Sequence, residues 1–385
     1  MFNFDFYNPT RILFGNDRLA GMGEQIPSDA KVLLTYGGGS AKRNGVFDKV
    51  KNALGDRRVV EFGGIETNPR YETLSRAIKL IREEQIDFII AIGGGSVIDG
   101  TKFISIASQY EGDSAELLKC GFAPMPVHTA LPFGVVLTLP ATGSEMNCAA
   151  VISYEHAKCV ISNELLFPQF SIVDPTITFT LPQRQVANGI VDAFVHVTEQ
   201  YLTYPVDGKV QDRLAEGLLQ TLIEIGATSV KEAENYDARA NHVWSATLAL
   251  NGLIGAGVPQ DWATHFIGHE LTSLFGMDHG QTLAVILPPL LEVRREQKGA
   301  KLLQYAERVW HIENGTDEEK IDLAIAKTRE FFESLGVKTR LSAYGVEADK
   351  VPVILEQLRA HGMTAISETG DLTLAISQRI LETAI

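Results

Sequence analysis

Cysteine and long apolar runs are scarce in this chain of 385 residues. Its three cysteines show no Cys-x-x-Cys spacing and are too few for a disulfide framework, which indicates buried thiols in a reducing compartment. No apolar run approaches the roughly 20 residues that a membrane span needs. The start, MFNFDFYNPTRILFG, lacks the basic residues and apolar stretch of a secretory signal. The sequence therefore predicts a cytoplasmic protein with no membrane role.

The chain has fewer basic than acidic residues, with 34 Lys and Arg, 48 Asp and Glu, and a net charge of −14. A chain of this sign repels phosphate backbones and anionic lipid surfaces, so we expect no nucleic acid among its partners. Hydrophobic residues make up 45% of the chain, and a chain of this length exceeds what one core usually organises. Two globular domains are the expected arrangement.

The chain lacks both the G-x-G-x-x-G motif and the P-loop motif of phosphate-binding sites, although it contains two glycine-rich turns. Gly-Gly-Gly-Ser occurs at 37–40 and at 93–96, each time after an apolar run and before a helical pattern. Lys42 and Ile98 stand where a G-x-G-x-x-G motif needs its last glycine, and the Lys-Thr order of a P-loop is reversed at 101–102. Each turn is therefore either an anion site built from backbone N–H groups at a helix start, or a tight turn without a ligand.

Secondary-structure patterns divide the chain near Leu181. Before it, short β-rich runs such as KVLLTY and FIIAI alternate with helical patterns, which is typical of a doubly wound α/β fold with a parallel sheet. After it, long amphipathic stretches such as VQDRLAEGLLQTLIEIG indicate an all-α half. Between them, VDPTITFTLP has the composition of an extended linker. We therefore expect domains at 1–180 and 181–385.

Histidines cluster in DWATHFIGHELTSLFGMDHG, at 261–280. His265 and His269 stand four apart and share a helix face, where they would be ordinary half-buried side chains if nothing accompanied them. Upstream, NGIVDAFVHVTEQY places an aspartate and a histidine four apart on a second helical pattern. A zinc protease of the H-E-x-x-H kind is excluded, because no Glu follows His265. The remaining set of one carboxylate and three imidazoles suits Zn²⁺ or Fe²⁺ and consists of Asp192, His196, His265 and His279.

Five motifs in this order resemble those of the iron-containing, group III alcohol dehydrogenases. They are GGGSxxDxxK after a strand, the T-x-P-A-T-G-S-E run at 138–145, D-x-x-x-H, H-x-x-x-H and a later His-Gly. Within the family the resemblance is strongest to bacterial NADPH-dependent aldehyde reductases and butanol dehydrogenases. It implies an architecture like that of dehydroquinate synthase, with a dinucleotide-binding α/β domain followed by an all-helical metal-binding domain.

The resemblance also implies residues that contact NADP(H). Asp99 would lie near the nicotinamide, although it serves equally well as a carboxylate in the first turn of a helix. The pyrophosphate, the adenine side and the ribose and phosphate region would be contacted by Gly94, Gly95, Ser96, Thr138, Thr142, Asn68 and Lys158.

NADPH is expected over NADH because the first glycine turn, with Gly38, Gly39 and Ser40, has no carboxylate to repel a 2′-phosphate. Lys42 or Arg43 either adds positive charge there or remains a solvated helix residue.

The implied reaction interconverts short-chain aldehydes and primary alcohols by hydride transfer and favours aldehyde reduction. One divalent ion would stabilise negative charge on the carbonyl oxygen. His269 is either the proton relay for that oxygen or a packing residue.

Two alternatives stay open. An NAD-dependent lyase of the dehydroquinate synthase type should hold Lys and Arg for a charged substrate, but the stretches around the four candidate ligands contain none. A polyol dehydrogenase like glycerol dehydrogenase is the second alternative. A metal-binding protein without catalysis would have no use for dinucleotide turns. The resemblance further implies a homodimer, for which FNFDFYN offers a β-prone segment.

Overall fold

The computed structural model describes residues 1–155 and 157–385. Within them the strands are β1 (Arg11–Phe14), β2 (Val32–Tyr36), β3 (Val59–Phe62), β4 (Phe88–Gly94), β5 (Phe133–Leu139), β6 (Ala149–Tyr154), β7 (Ala157–Ser162), β8 (Phe170–Val173), β9 (Ala365–Ile366) and β10 (Leu372–Thr373). Six of them form a parallel sheet in the order β1-β8-β5-β4-β2-β3. The predicted parallel α/β sheet is confirmed.

Helices of the first half follow strands of this sheet. They are α1 (Ser40–Arg43), α2 (Val46–Leu54), α3 (Tyr71–Glu84) and α4 (Gly95–Ala107). The run AKRNGVFDKVKNAL is helical in two pieces, because Gly45 takes φ 78° and starts α2 afresh.

The parallel sheet is buried on both faces, as parallel sheets usually are. Alternate residues of the central strands, such as Val32 and Ile90, join Phe47 and Val50 of α2 in one core cluster. Their neighbours Leu33 and Ile89 point to the other face and are fully buried as well. The continuous apolar runs in the sequence follow from this double burial.

Two elements of the first half differ from the expectation. Strands β6 and β7 form a separate antiparallel hairpin. The predicted extended linker is wrong, because Pro175–Thr180 is a 3₁₀ helix. Asp174 begins it by accepting a hydrogen bond from the backbone N–H of Thr176, and the proline supplies a φ that suits the first helical position.

The second half is helical. Its helices are α5 (Gln183–Tyr201), α6 (Lys209–Lys231), α7 (Tyr236–Ala249), α8 (Ala263–Phe275), α9 (His279–Val293), α10 (Arg295–Arg308), α11 (Asp317–Ser334), α12 (Val351–Ala360) and α13 (Leu374–Ala384). The two-residue strands β9 and β10 pair there in a small antiparallel bridge. This half confirms the predicted helical domain class.

The chain forms two compact units. One comprises Tyr7–Leu181, and the other comprises Pro182–Ile385 together with Met1–Phe6. The ranges 1–180 and 181–385 as cofactor-binding and metal-binding domains stay a prediction. Within the described residues, every helix is too short or too polar to cross a bilayer.

Candidate cofactor turns and candidate metal centre

Both Gly-Gly-Gly-Ser turns follow neighbouring strands of the parallel sheet. Strand β2 pairs with β4 through Tyr36 and Ile92, and the turns begin where these strands end. The chain winds outward from this pair in opposite directions, to β3 on one side and to β5 on the other. Such a switch in winding direction is where open α/β sheets bind ligands, at the carboxyl ends of the strands.

The turn after β4 is packed too closely for side chains. A Cβ on Gly95 would lie 2.5 Å from the Thr142 Oγ1, and one on Gly94 would lie 3.0 Å from the Leu139 Cβ. Glycine is therefore required by the close approach of the 138–145 run. Helix α4 begins here with 13 residues and no side-chain cap, so its first N–H groups are available to an anion.

The turn after β2 is more open. Gly39 has φ 94°, a conformation that favours glycine, whereas a Cβ on Gly38 would meet nothing within 4 Å. Ser40 begins α1. Lys42 is engaged elsewhere, since its ammonium lies 2.8 Å from the Glu61 carboxylate. Arg43 Nη1 instead donates to the Gly38 carbonyl at 3.4 Å, which leaves Arg43 as the cation beside this turn.

Of the other predicted cofactor residues, Asn68 and Thr138 lie at the same sheet edge. Asn68, with φ 61°, donates its backbone N–H to Ser96 Oγ at 3.3 Å, so these two residues are in contact. Thr138 lies near the end of β5, the strand next to β4. Lys158 lies on β7 of the hairpin. Their contacts with NADP(H) stay predictions.

Asp99 uses both carboxylate oxygens within the protein. Oδ1 accepts a hydrogen bond from Ser144 Oγ at 2.6 Å, and Oδ2 accepts one from the backbone N–H of Val151 at 2.9 Å. Burial raises the pKa of Asp99, and the Lys102 ammonium opposes that effect. In the structure, Asp99 therefore holds the segment that follows β5.

Lys102 is a positioning residue whose contacts are visible only in the structure. Its side chain is fully buried, and its ammonium donates to the Asn147 side-chain oxygen and to the Ala149 carbonyl, both at 2.8 Å. Burial lowers the pKa of Lys102 to about 8, while Asp99 acts in the opposite direction. The D-x-x-K spacing in the sequence already indicates that Asp99 and Lys102 interact, because it places both side chains on one face of α4.

Three of the four predicted metal ligands converge. Asp192 lies on α5, His265 on α8 and His279 at the first position of α9. One ligand atom from each lies within 4.8 Å of the other two. The Asp192 Oδ1 is 3.6 Å from His265 Nε2 and 3.7 Å from His279 Nε2.

His196 lies beside this cluster of three. Its Nδ1 is 3.4 Å from Asp192 Oδ1, and its ring stacks on the His265 ring with 4.5 Å between centroids. It does not belong to the set whose ligand atoms all lie within 4.8 Å of one another. Its role as a fourth ligand stays a prediction.

The donor set fits a small divalent cation. Tetrahedral ligands at about 2.1 Å from an ion are about 3.4 Å from one another, close to the separations measured here. Asp192 Oδ1, His196 Nδ1 and His265 Nε2 are buried and have no hydrogen-bond partner within residues 1–155 and 157–385. Such orphaned polar atoms are costly unless a ligand satisfies them.

Electrostatics keep the carboxylate of this cluster ionised. Burial raises the pKa of Asp192, but the imidazoles of His196 and His279 outweigh it and hold that pKa well below its usual range. Burial lowers the pKa of His196 to about 4, so its ring is neutral at pH 7. An ionised carboxylate and a neutral imidazole are the forms that bind a metal ion. Burial lowers the pKa of His265, but the Glu199 and Asp192 carboxylates outweigh it and raise that pKa to about 9, so a metal ion would have to displace a proton from this ring.

His269, the predicted proton relay, lies on α8 with a partly exposed ring. Its ring centroid is 5.3 Å from that of His279 and 6.3 Å from that of His265. It is therefore a neighbour of the candidate centre and outside the cluster of three ligands.

Two models of one protein family match most of the chain. Residues 9–175 match the model of the iron-containing alcohol dehydrogenases, and residues 186–370 match that of the C-terminal part of the Fe-containing alcohol dehydrogenase family. The chain belongs to the iron-containing alcohol dehydrogenase family, as its motifs predicted.

Relatives with names and structures are similar over the whole chain. The NADPH-dependent aldehyde reductase YqhD of Escherichia coli is 58% identical over 388 residues, which cover 100% of both chains. A structure of the cofactor-free YqhD from E. coli has a TM-score of 0.94 and covers 100% of both chains. The NADH-dependent butanol dehydrogenase A of Thermotoga maritima, 32% identical, also has a TM-score of 0.94, covering 100% of this chain and 99% of that one.

Proposed function

We propose that this protein is an NADPH-dependent aldehyde reductase that uses one divalent metal ion and interconverts short-chain aldehydes and primary alcohols. The observation that carries the proposal is the convergence of Asp192, His265 and His279 in a chain whose 58% identical relative bears that activity in its name. The glycine turns at the switch point of the sheet support dinucleotide binding. The polyol dehydrogenase alternative has weaker support, from 1,3-propanediol dehydrogenases that are 27% and 28% identical to this chain.

Different residues of the chain would bind the metal ion and deliver the proton. Asp192, His196, His265 and His279 would hold the ion, which when bound withdraws charge from the carbonyl oxygen of the aldehyde. Reduction adds a hydride to the carbonyl carbon and a proton to its oxygen. His269 would deliver that proton, because its ring is titratable and partly exposed.

Further features belong to the same proposal. The ion is either Zn²⁺ or Fe²⁺, since one carboxylate and imidazoles bind both. A cytoplasmic location is supported by three cysteines that are free thiols. A homodimer is supported by the exposed aromatic side chains at the N-terminus, where Phe2, Phe4 and Tyr7 are each about half exposed.

Metal analysis joined to an activity assay tests the proposal. The purified protein should contain one equivalent of Zn²⁺ or Fe²⁺ and should oxidise NADPH with a panel of short aldehydes. Chelation should abolish turnover and leave NADPH binding nearly unchanged. His265→Ala should lose the metal and the activity together. Full metal occupancy in His265→Ala, or turnover in metal-free protein, would contradict the ligand set.

A further inference from the structure

Glu199 lies on the same stripe of α5 as two of the candidate metal ligands. Positions 192, 196 and 199 are spaced i, i+4 and i+7, which places all three side chains on one helix face. Glu199 is 2% exposed, so its charge is almost completely removed from water. A buried carboxylate of this kind needs partners that satisfy its oxygens.

Both oxygens of Glu199 are used by α8. Oε2 contacts the Nδ1 atom of His265, and Oε1 accepts a hydrogen bond from the backbone N–H of Thr264 at 2.6 Å. One carboxylate thus binds the ring of a candidate ligand and the first turn of the helix that carries it. Trp262, the residue before α8, provides no side-chain cap of its own.

The contact with Nδ1 decides which nitrogen of His265 faces the centre. A neutral imidazole carries one proton, and a carboxylate accepts a hydrogen bond only from the protonated nitrogen. A proton on Nδ1 leaves a lone pair on Nε2, the atom that lies 3.6 Å from the Asp192 Oδ1. Metal-bound histidines usually donate their other ring N–H to such a partner.

We infer that Glu199 is a positioning residue that fixes the tautomer and orientation of His265 for metal binding. This inference rests on the proposed metal centre. Main-chain contacts strengthen it, because the Glu199 carbonyl accepts the N–H of Asp261 at 2.9 Å, next to the start of α8. Asp261 is held in turn by the buried Lys298 ammonium at 2.8 Å. Helix α5 therefore sets the position of α8 at this end.

Glu199→Gln separates the tautomer role from helix capping. The amide has one oxygen, and the backbone N–H of Thr264 requires an acceptor at 2.6 Å. That oxygen turns to Thr264, so the amide NH₂ faces His265 Nδ1 and donates to it. The ring proton is then forced onto Nε2, the nitrogen that would bind the ion. The hydrogen bond from the Thr264 N–H is kept, but His265 Nε2 no longer offers a lone pair to the metal ion.

Zn²⁺ affinity, measured by competition with a chromophoric chelator, is the readout. We expect Glu199→Gln to weaken Zn²⁺ binding by about 10- to 100-fold, the usual effect of removing such a partner, with unchanged circular dichroism and NADPH binding. The control is Glu216→Gln, a carboxylate 5% exposed whose oxygens accept from Tyr201 and Arg213, away from the cluster. It should bind Zn²⁺ like the wild type.

Each outcome bears on a different proposal. A wild-type protein that binds no Zn²⁺ overturns the metal centre and this inference with it. If the wild type binds Zn²⁺ and Glu199→Gln binds it within about threefold, the tautomer role is wrong and the metal centre stands. An equal loss in Glu216→Gln would also overturn the inference, because the effect would then be general to buried carboxylates.

Side-chain nitrogen NMR of the Zn²⁺-loaded wild type tests the inference without relying on a variant that folds. His265 should show a protonated Nδ1 and a metal-bound Nε2, in a signal assigned by its absence in His265→Ala. A metal-bound Nδ1 would overturn the role of Glu199.

Discussion

A histidine beside a metal centre either relays a proton or fills space, and the two roles differ in what the protein loses without the ring. His269 is one helical turn from His265 and is not among the three converging ligand residues. A relay acts only during turnover, whereas a packing ring stabilises the folded protein at all times.

Replacing His269 by Ala should therefore leave the metal content unchanged and lower kcat by about 100-fold or more, the usual scale of general acid catalysis. Imidazole added to the assay should restore part of the rate, because a free base can enter the space that the ring vacates. Wild-type turnover with an unchanged pH profile, accompanied by a lower melting temperature, would assign His269 to packing.

The predicted preference for NADPH can also be tested at a single residue. Gly38 is exposed, and a Cβ there would meet nothing within 4 Å, so a new side chain fits without distorting the turn. Gly38→Asp should lower the efficiency with NADPH relative to NADH by about fivefold or more, which corresponds to roughly 1 kcal/mol. The physical reason is repulsion between the new carboxylate and a 2′-phosphate.

Gly38→Asn is the matched control, because it has the same shape and no charge. Steady-state kinetics with both cofactors should give a ratio for Gly38→Asn close to that of the wild type. An equal change in the two variants would mean that bulk, and not charge, sets the preference. A wild type that prefers NADH would remove the basis of the prediction.

At the scale of elements, helix α4 holds the segment after β5 through two side chains. Asp99 binds Ser144 and Val151, and Lys102 binds Asn147 and Ala149. The glycine turn after β4 and the 138–145 run are thereby joined through the helix that starts at Gly95. This joint role gives Asp99 a measurable effect on stability even when no cofactor is present.

Asp99→Ala should lower the free energy of unfolding by about 1–3 kcal/mol without cofactor, because the buried N–H of Val151 loses its acceptor. Chemical denaturation of the cofactor-free protein measures this effect. Ser144→Ala is the control, since it removes one partner and should cost less. Unchanged stability together with a raised KM for NADPH would show that Asp99 acts on the cofactor instead.

Periodicity in the sequence predicts the presence of helices and strands better than it predicts where they end or which strands pair. The alternation of apolar runs and helical patterns was enough for the parallel sheet, because burial on both faces leaves a strong signal. The sequence pattern does not reveal the hairpin of β6 and β7, and the composition of VDPTITFTLP predicts extended chain where the structure has a 3₁₀ helix. Its conformation depends on the Asp174 side chain capping a short helix, a local contact that composition does not reveal.

Helical spacing in the sequence is enough to select the candidate ligand residues, whereas it does not identify the residues that contact them. Asp192 and His196 are recognised by their i, i+4 spacing, and Glu199 extends the same stripe by one more turn. A glutamate in a helix usually lies in solvent. Only the packing of α8 against it shows that this one is buried, so its role needed the structure.

At the scale of the whole molecule, one buried histidine links stability to pH. His242 on α7 is fully buried, and neither ring nitrogen has a hydrogen-bond partner among the described residues. Burial lowers the pKa of His242 to about 3, and the Arg239 cation adds to that effect. The folded protein therefore keeps this ring neutral, while the unfolded chain protonates it near pH 6.5.

Because the folded pKa lies below the unfolded one, this contribution to stability is complete above about pH 6.5 and is lost as the pH falls toward 3. The loss should approach about 1.4 kcal/mol per pH unit in that window. His242→Gln should flatten the pH dependence of the unfolding free energy between pH 6.5 and 4. His311→Gln, at an exposed position, is the control. Parallel curves for the wild type and His242→Gln would contradict the prediction.

The first six residues belong to the unit that is otherwise made of residues after 181. The backbone N–H of Phe2 donates to the carbonyl of Gly257 at 2.8 Å, so this end of the chain docks on a residue 255 positions later. At synthesis rates of about 5–20 residues per second, that partner leaves the ribosome roughly 10–50 s after Phe2 does. The hydrogen bond between Phe2 and Gly257 can therefore form only after the chain has been made as far as residue 257, which places it late in the folding of a nascent chain.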